Sequence, residues 1–143
     1  MNTKKQILNG PYLLGLTASH VTLAWEAADE GSFTVVYGRG QAKQEKIIPS
    51  YQRELPCREY PNGCCLYTAG LSALDAGTVY EYAVCEGSNL LVSDRFETLP
   101  EHPETVKMVT ISDSHLFHTE KQFARMVERV KPDLILHGGD ISF

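Results

Sequence analysis

The chain has 143 residues, of which 43% are hydrophobic and 22% are charged, and this composition is typical of a folded globular protein. Its formal net charge of -5 argues against a nucleic-acid-binding protein, because such proteins usually carry an excess of positive charge. No apolar run approaches the ~20 residues of a membrane-spanning helix, and the amino terminus lacks the apolar core of an export signal. These features predict a cytoplasmic protein, or a periplasmic or secreted one if a signal has been removed.

Residues 11 to 98 have the pattern of a series of short strands. In HVTLAWEA the apolar residues Val21, Leu23 and Trp25 occupy alternate positions, as in a half-buried strand. Turn-forming residues separate this run from further apolar runs, which are SFTVVYG, EKIIPS, CCLYTAG, TVYEYAVC and NLLVSDRFETL. About seven strands without a helical stretch predict an antiparallel β-sandwich.

The stretch LSALDAGTVYEYAV, together with Trp25 on the second predicted strand, resembles a fibronectin type III domain. Leu74 precedes Tyr80 by six residues, and in that family this arrangement lets the tyrosine hydroxyl close the corner between two strands. The resemblance implies a fibronectin type III-like sandwich over residues 1–99, similar to the amino-terminal domain of purple acid phosphatases.

The tyrosines of this segment have two interpretations. They could form a sugar-binding surface, but aromatic residues on strands usually serve packing, and packing is the interpretation that we prefer. They include Tyr12, Tyr37, Tyr51, Tyr60 and Tyr67. His20 is expected at a loop or strand edge, without a ligand role.

The four cysteines are Cys57, Cys64, Cys65 and Cys85, and no CxxC pair is present. A zinc ribbon is therefore not expected. We interpret them mainly as reduced structural thiols. Disulfides that join Cys57 or Cys64 to Cys85 are the alternative if the protein is exported.

The segment ETLPEHPETV predicts a stiff linker over residues 100–105, and the pattern of short alternating strands ends there. VKMVTIS and LILHGG are apolar runs typical of strands covered on both faces. The sequence between them has helical spacing, with Thr119 and Gln122 at capping-box positions and Pro132 at the end. Strand, helix and strand predict a βαβ unit with parallel pairing over residues 106–143.

Side chains that can bind a metal follow both of these strands. Asp113 and His115 come directly after the first strand, and Asp140 follows the second after two glycines. Because neighbouring parallel strands end at the same edge of a sheet, we expect the three side chains to converge there. Carboxylate and imidazole ligands in this mixture suit Zn, Mn or Fe. The simpler alternative is that Asp113 caps a turn and Asp140 serves a tight loop.

Two further histidines lie near this expected site. His118 opens the predicted helix and His137 lies within the second strand, so structural roles are the preferred interpretation for both. His118 could also reach the crevice and support the metal ligands or contact a substrate.

Asp-x-His followed by Gly-Gly-Asp resembles the opening of the calcineurin-like metallophosphoesterase family. The resemblance implies that Asp113 and His115 bind the first of two divalent metal ions, that Asp140 bridges both, and that a full-length form hydrolyses phosphate esters. The preceding sandwich is similar to that of the purple acid phosphatase group. Those enzymes have Asp-x-Gly and a tyrosine where this chain has His115 and Phe143, so a purple colour is not expected.

The later motifs of that family, an Asn-His pair and further histidines, have no counterpart here. We therefore expect metal binding to be weak or absent and the chain as given to be inactive or nearly so. The alternatives are a non-catalytic fibronectin-like binding module with a remnant tail, or half of a split enzyme that a partner chain completes. Because residues 106–143 are too few to bury a core, we also expect self-association through them or a complementing chain.

Overall fold

The computed structural model describes residues 7–40, 45–58, 60–102, 104–112 and 120–139. The chain divides into two compact units, Met1–Glu101 and His102–Phe143. We call the described part of the first the two-sheet unit and the described part of the second the strand–helix–strand unit. The bounds predicted from the sequence, 1–99, 100–105 and 106–143, stay predictions.

Strands dominate the described residues, and one helix is present among them. The two-sheet unit contains β1 (Ile7–Leu14), β2 (His20–Ala27), β3 (Phe33–Gly38), β4 (Glu45–Ile47), β5 (Ser50–Glu54), β6 (Cys64–Ser72), β7 (Val79–Glu86) and β8 (Asn89–Glu97). The strand–helix–strand unit contains β9 (Met108–Ile111), α1 (Glu120–Val130) and β10 (Leu134–His137). None of the described helical segments is long and apolar enough to cross a membrane.

The eight strands of the two-sheet unit form two four-stranded sheets with the orders β1-β2-β6-β5 and β4-β3-β7-β8. Every pairing within these sheets is antiparallel. The predicted mostly-β, antiparallel architecture is therefore confirmed. The apolar runs did not mark β5, because it has the polar sequence SYQRE.

Inward-facing side chains of both sheets form one shared hydrophobic core. Val21, Leu23 and Trp25 alternate along β2 and are fully buried, as their spacing predicts. Trp25 contacts Phe33 of the other sheet edge-on, with ring centroids 5.9 Å apart. Its Nε1 is buried and has no hydrogen-bond partner among the described residues, which costs about 1–3 kcal/mol. The apolar contacts of the ring therefore stabilise the core against that cost.

The connection between β6 and β7 is closed by a tyrosine hydroxyl. The Asp75 amide donates a hydrogen bond to the Tyr80 hydroxyl at 2.9 Å. The buried Thr98 hydroxyl donates to the Asp75 carbonyl at 2.6 Å and accepts from the Thr78 amide at 2.9 Å. These bonds satisfy polar backbone groups at the turn, and they show the role that the Leu74–Tyr80 spacing predicts for the tyrosine.

In the strand–helix–strand unit, β9 and β10 pair in parallel, with Leu134 opposite Met108. The helix ends at Val130, followed by Lys131 with a φ of 47° and then by Pro132, which cannot continue a helix. The strands are not covered on both faces, contrary to expectation: Met108 and Leu134 are about half exposed. Apolar runs alone do not reveal whether a sheet has enough neighbours to cover it.

Candidate ligand-binding site

Three aromatic side chains form a continuous row across the inner face of the first sheet. Trp25 of β2 lies opposite Tyr67 of β6, which lies opposite Tyr51 of β5. The Trp25 and Tyr67 rings stack with centroids 5.5 Å apart, and the Tyr67 and Tyr51 rings with centroids 5.2 Å apart. Trp25 and Tyr67 are buried, whereas Tyr51 is 48% exposed. The row thus begins in the core and ends at the surface, because β5 is the outermost strand of its sheet.

Two charged side chains flank the exposed end of this row. Arg53 follows Tyr51 by two residues on β5, so both side chains are on the same face of the sheet. The Arg53 guanidinium lies 3.7 Å from the Glu30 carboxylate. The Glu30 carboxylate beside the Tyr51 hydroxyl raises the pKa of Tyr51. We call Tyr51, Tyr67, Arg53 and Glu30 the aromatic edge.

Tyr67 also fixes the turn that carries Glu30. The Gly31 amide donates a hydrogen bond to the Tyr67 hydroxyl at 2.8 Å, and this hydroxyl faces the Gly31 carbonyl at 3.4 Å. Burial raises the pKa of Tyr67 above its ordinary value. The turn between β2 and β3 is therefore held against β6 by the same residue that supports the Tyr51 ring.

The aromatic edge combines a fixed apolar ring with hydrogen-bond donors and acceptors. The Tyr51 ring offers a flat apolar surface, the Arg53 guanidinium offers donors, and the Glu30 carboxylate offers acceptors. Such a set suits a ligand that has an apolar face and polar groups at its rim. Among the tyrosines considered in the sequence, Tyr37 and Tyr67 do serve packing, since both are buried. Sequence patterns do not single out Arg53 or Glu30, because the polar stretch SYQRE lacks the apolar alternation of a typical strand.

The residues that the sequence proposed as metal ligands, Asp113, His115 and Asp140, lie outside the described residues, as do His118 and Phe143. The described residues just before them lie close together. The Gly138 amide donates to the Ile111 carbonyl at 2.8 Å, and Gly139 has a φ of 112°, which favours glycine. His137 is in β10, and its Nδ1 accepts a hydrogen bond from the Gly139 amide at 3.1 Å.

No group of three or more His, Cys, Asp or Glu side chains is placed to hold a metal ion within the described part of the chain. The proposed ligand set itself stays an untested prediction.

All four cysteines are thiols in this structure. Cys65 is fully buried in the shared core, and burial is the main cause that raises the pKa of its thiol and of the Cys64 thiol. This arrangement agrees with structural thiols, and the alternative disulfides to Cys85 are absent. A raised pKa makes both buried thiols poor nucleophiles at neutral pH.

Comparison with known proteins found no matching family model and no matching curated protein. Solved structures similar to this chain include the sensor domain of the anti-sigma factor RsgI4 from Pseudobacteroides cellulosolvens in a longer and a shorter form. The longer form is 15% identical, with a TM-score of 0.46, and the match covers 72% of this chain and 95% of that one. The shorter form is also 15% identical, with a TM-score of 0.43, covering 66% of this chain and 92% of that one.

The prediction of a calcineurin-like, purple acid phosphatase-like metallophosphoesterase is therefore corrected. The two solved structures named above are sensor domains, not phosphoesterases, and no family model matches this chain. Phosphoesterase function and hydrolase class are corrected with it, and no metal site is present among the described residues. The physical reason is that Asp-x-His and Gly-Gly-Asp are short patterns, and a strand–helix–strand unit occurs in folds of many functions.

Proposed function

We propose that the two-sheet unit is a fibronectin type III-like β-sandwich that acts as a non-catalytic binding module. Its ligand-binding surface is the aromatic edge. Two antiparallel sheets with one shared core support the sandwich, as does the bond between the Tyr80 hydroxyl and the Asp75 amide. The strand–helix–strand unit is not part of this function.

The observation that carries the proposal is that Tyr51 is exposed to solvent and yet is packed against neighbouring side chains. Tyr51 is 48% exposed, yet Tyr67 stacks on its ring, and the Glu30 carboxylate lies near enough to its hydroxyl to raise the pKa of Tyr51. A side chain that is already fixed loses little conformational freedom when a ligand binds. Tyrosine and arginine are also the side chains that contribute most often to binding hot spots. An exposed aromatic ring with fixed surroundings is therefore better suited to binding than to core packing.

The binding function is tested with the full chain on an array that carries neutral glycans, acidic glycans and peptides. We expect a defined set of ligands to retain the protein and Tyr51→Ala to abolish that retention. The matched control is Tyr12→Ala, because Tyr12 is 47% exposed on β1, the other outermost strand of the same sheet. Circular dichroism and urea unfolding confirm that both variants fold. Retention that never depends on Tyr51 would overturn the proposal.

The non-catalytic part is tested by incubating the same chain with a chromogenic phosphate ester and Mn or Zn. We expect no turnover above that of the metal alone. Turnover that survives purification and that a chelator abolishes would contradict the binding-module proposal.

A further inference from the structure

The exposed face of the Tyr51 ring defines the kind of surface a ligand must present. Tyr67 stacks on one side of the ring at an interplanar angle of 30°, and Tyr51 is 48% exposed, so the opposite ring face is the one open to a ligand. The face of an aromatic ring is electron-rich and attracts groups with a partial positive charge. The C–H groups on one face of a pyranose ring form a flat patch of this kind.

The polar groups beside the ring match hydroxyl groups better than they match ions. Arg53 can only donate hydrogen bonds and Glu30 can only accept them, whereas a hydroxyl does both. The two charged groups lie 3.7 Å apart, so each offsets the charge of the other. A sugar with neighbouring hydroxyls can bond to both while its C–H face rests on Tyr51.

The charge of the protein indicates whether the ligand is neutral or charged. The chain carries a formal net charge of -5, and Arg53, which lies two residues from Tyr51 on the same strand, is paired with Glu30. An anionic polymer would be repelled by the net charge of the chain and would find the charge of Arg53 already paired. From the open ring face, the paired charges and the net charge we infer that the aromatic edge binds a neutral sugar polymer. This inference rests on the proposed binding function and names its ligand.

A peptide that adds a strand to β5 is the main competing ligand. Within the described residues β5 pairs with β6 alone, so its other edge offers backbone groups. A peptide added as a strand would form hydrogen bonds with those backbone groups. It would need neither the Tyr51 ring face nor the Glu30–Arg53 pair. The stacked Tyr51 ring with the Glu30–Arg53 pair beside it therefore favours the sugar.

The experiment is affinity electrophoresis of the full chain through soluble mixed-linkage β-glucan, xyloglucan and galactomannan, with polygalacturonate and heparin as anionic counterparts. We expect retardation by at least one neutral polymer and by neither anionic one. Tyr51→Ala should weaken that binding at least about tenfold. Tyr51→Phe, which keeps the ring but loses the hydroxyl, should weaken it by only about two- to threefold. Tyr12→Ala should leave it unchanged.

Salt gives a second readout, because a neutral ligand releases few counter-ions. We expect binding to change little between about 0.05 M and about 0.5 M NaCl. The sugar inference fails if no neutral polymer in the set binds, if Tyr51→Ala binds as well as the unaltered chain, or if an anionic polymer binds in a salt-sensitive way. Tyr51-dependent capture of peptides alone on the array would overturn the sugar ligand and leave the binding module standing. No Tyr51-dependent ligand of any class would overturn both.

Discussion

Tyr51 and Tyr67 lie directly opposite each other on β5 and β6 and stack with ring centroids 5.2 Å apart, yet Tyr67 is buried and Tyr51 is half exposed. Neighbouring residues of one row thus have different environments. The difference arises because β5 is the last strand of its sheet, so among the residues that the structure describes one side of Tyr51 has no adjacent strand. The site and the core are therefore parts of one aromatic row.

The Tyr80 hydroxyl should contribute measurably to stability. Tyr80→Phe removes the acceptor of the Asp75 amide, and we expect the free energy of unfolding to fall by about 1–2 kcal/mol. Urea unfolding followed by circular dichroism measures the change. Tyr82→Phe on the same strand is the control, since the structure shows no hydrogen bond of that hydroxyl within the described residues, and it should change stability by less than about 0.5 kcal/mol. Equal effects of the two substitutions would contradict the proposed role of Tyr80.

Gly63 and Gly87 offer a matched test of backbone geometry. Both have positive φ values, 76° and 57°. A Cβ at Gly63 would lie 2.6 Å from the Glu54 carbonyl oxygen, whereas one at Gly87 would meet nothing within 4 Å. We expect Gly87→Ala to cost about 1–2 kcal/mol and Gly63→Ala about 2–4 kcal/mol, because only the second adds a steric clash. Thermal and urea unfolding would rank them, and the reverse order would show that the β5–β6 connection adapts freely.

Two tyrosines should make the fold sensitive to alkaline pH. The Tyr37 hydroxyl donates to Glu45 and the Tyr60 hydroxyl to Glu26, each at 2.7 Å. Burial, followed by the bond to Glu45, raises the pKa of Tyr37 to about 12, and the bond to Glu26 raises the pKa of Tyr60 to about 12. An unfolded tyrosine has a pKa of about 10.

Between about pH 10 and about pH 12, Tyr37 and Tyr60 keep their protons in the folded chain and release them in the unfolded chain. The stabilisation from both groups is therefore complete below about pH 10 and is lost as the pH rises towards about 12. We expect the urea midpoint to fall over this interval, and to fall less in Tyr37→Phe and Tyr60→Phe. Ultraviolet absorbance of the phenolate gives the ionisation directly. Normal ionisation of all seven tyrosines near pH 10 would contradict the prediction.

Self-association through residues 106–143 stays a proposal, and the exposed face of β9 and β10 supports it. Leu134 and Leu136 are about half exposed on β10, and a two-stranded sheet is rarely stable without a cover. We expect light scattering to show species larger than one chain at high concentration. Changing both leucines to lysine should shift the protein towards the monomer, whereas Leu55→Lys, at a leucine that is 84% exposed in the two-sheet unit, should not. A strictly monomeric unaltered chain would rule out this association.

Local sequence patterns predicted the features that depend on residues close together along the chain. Alternation in β2 identified Val21, Leu23 and Trp25 as core residues, because every second side chain of a half-buried strand faces inward. The Leu74–Tyr80 spacing likewise predicted the hydroxyl bond at the β6–β7 turn. By contrast, the apolar pattern did not predict β5, because an edge strand does not need an apolar sequence. The short metal-type motifs led to the wrong family because three residue types do not define a site.

The sequence by itself determined that this chain forms antiparallel strands, which face of β2 is buried, and how Tyr80 closes a turn, since each follows from residues close together along the chain. Only the tertiary structure decided that Tyr51 is exposed while Tyr67 is buried, and that Glu30 and Arg53 meet beside it. Strand order sets how many neighbours a side chain has, and the residues that meet at a sheet edge come from segments far apart in sequence.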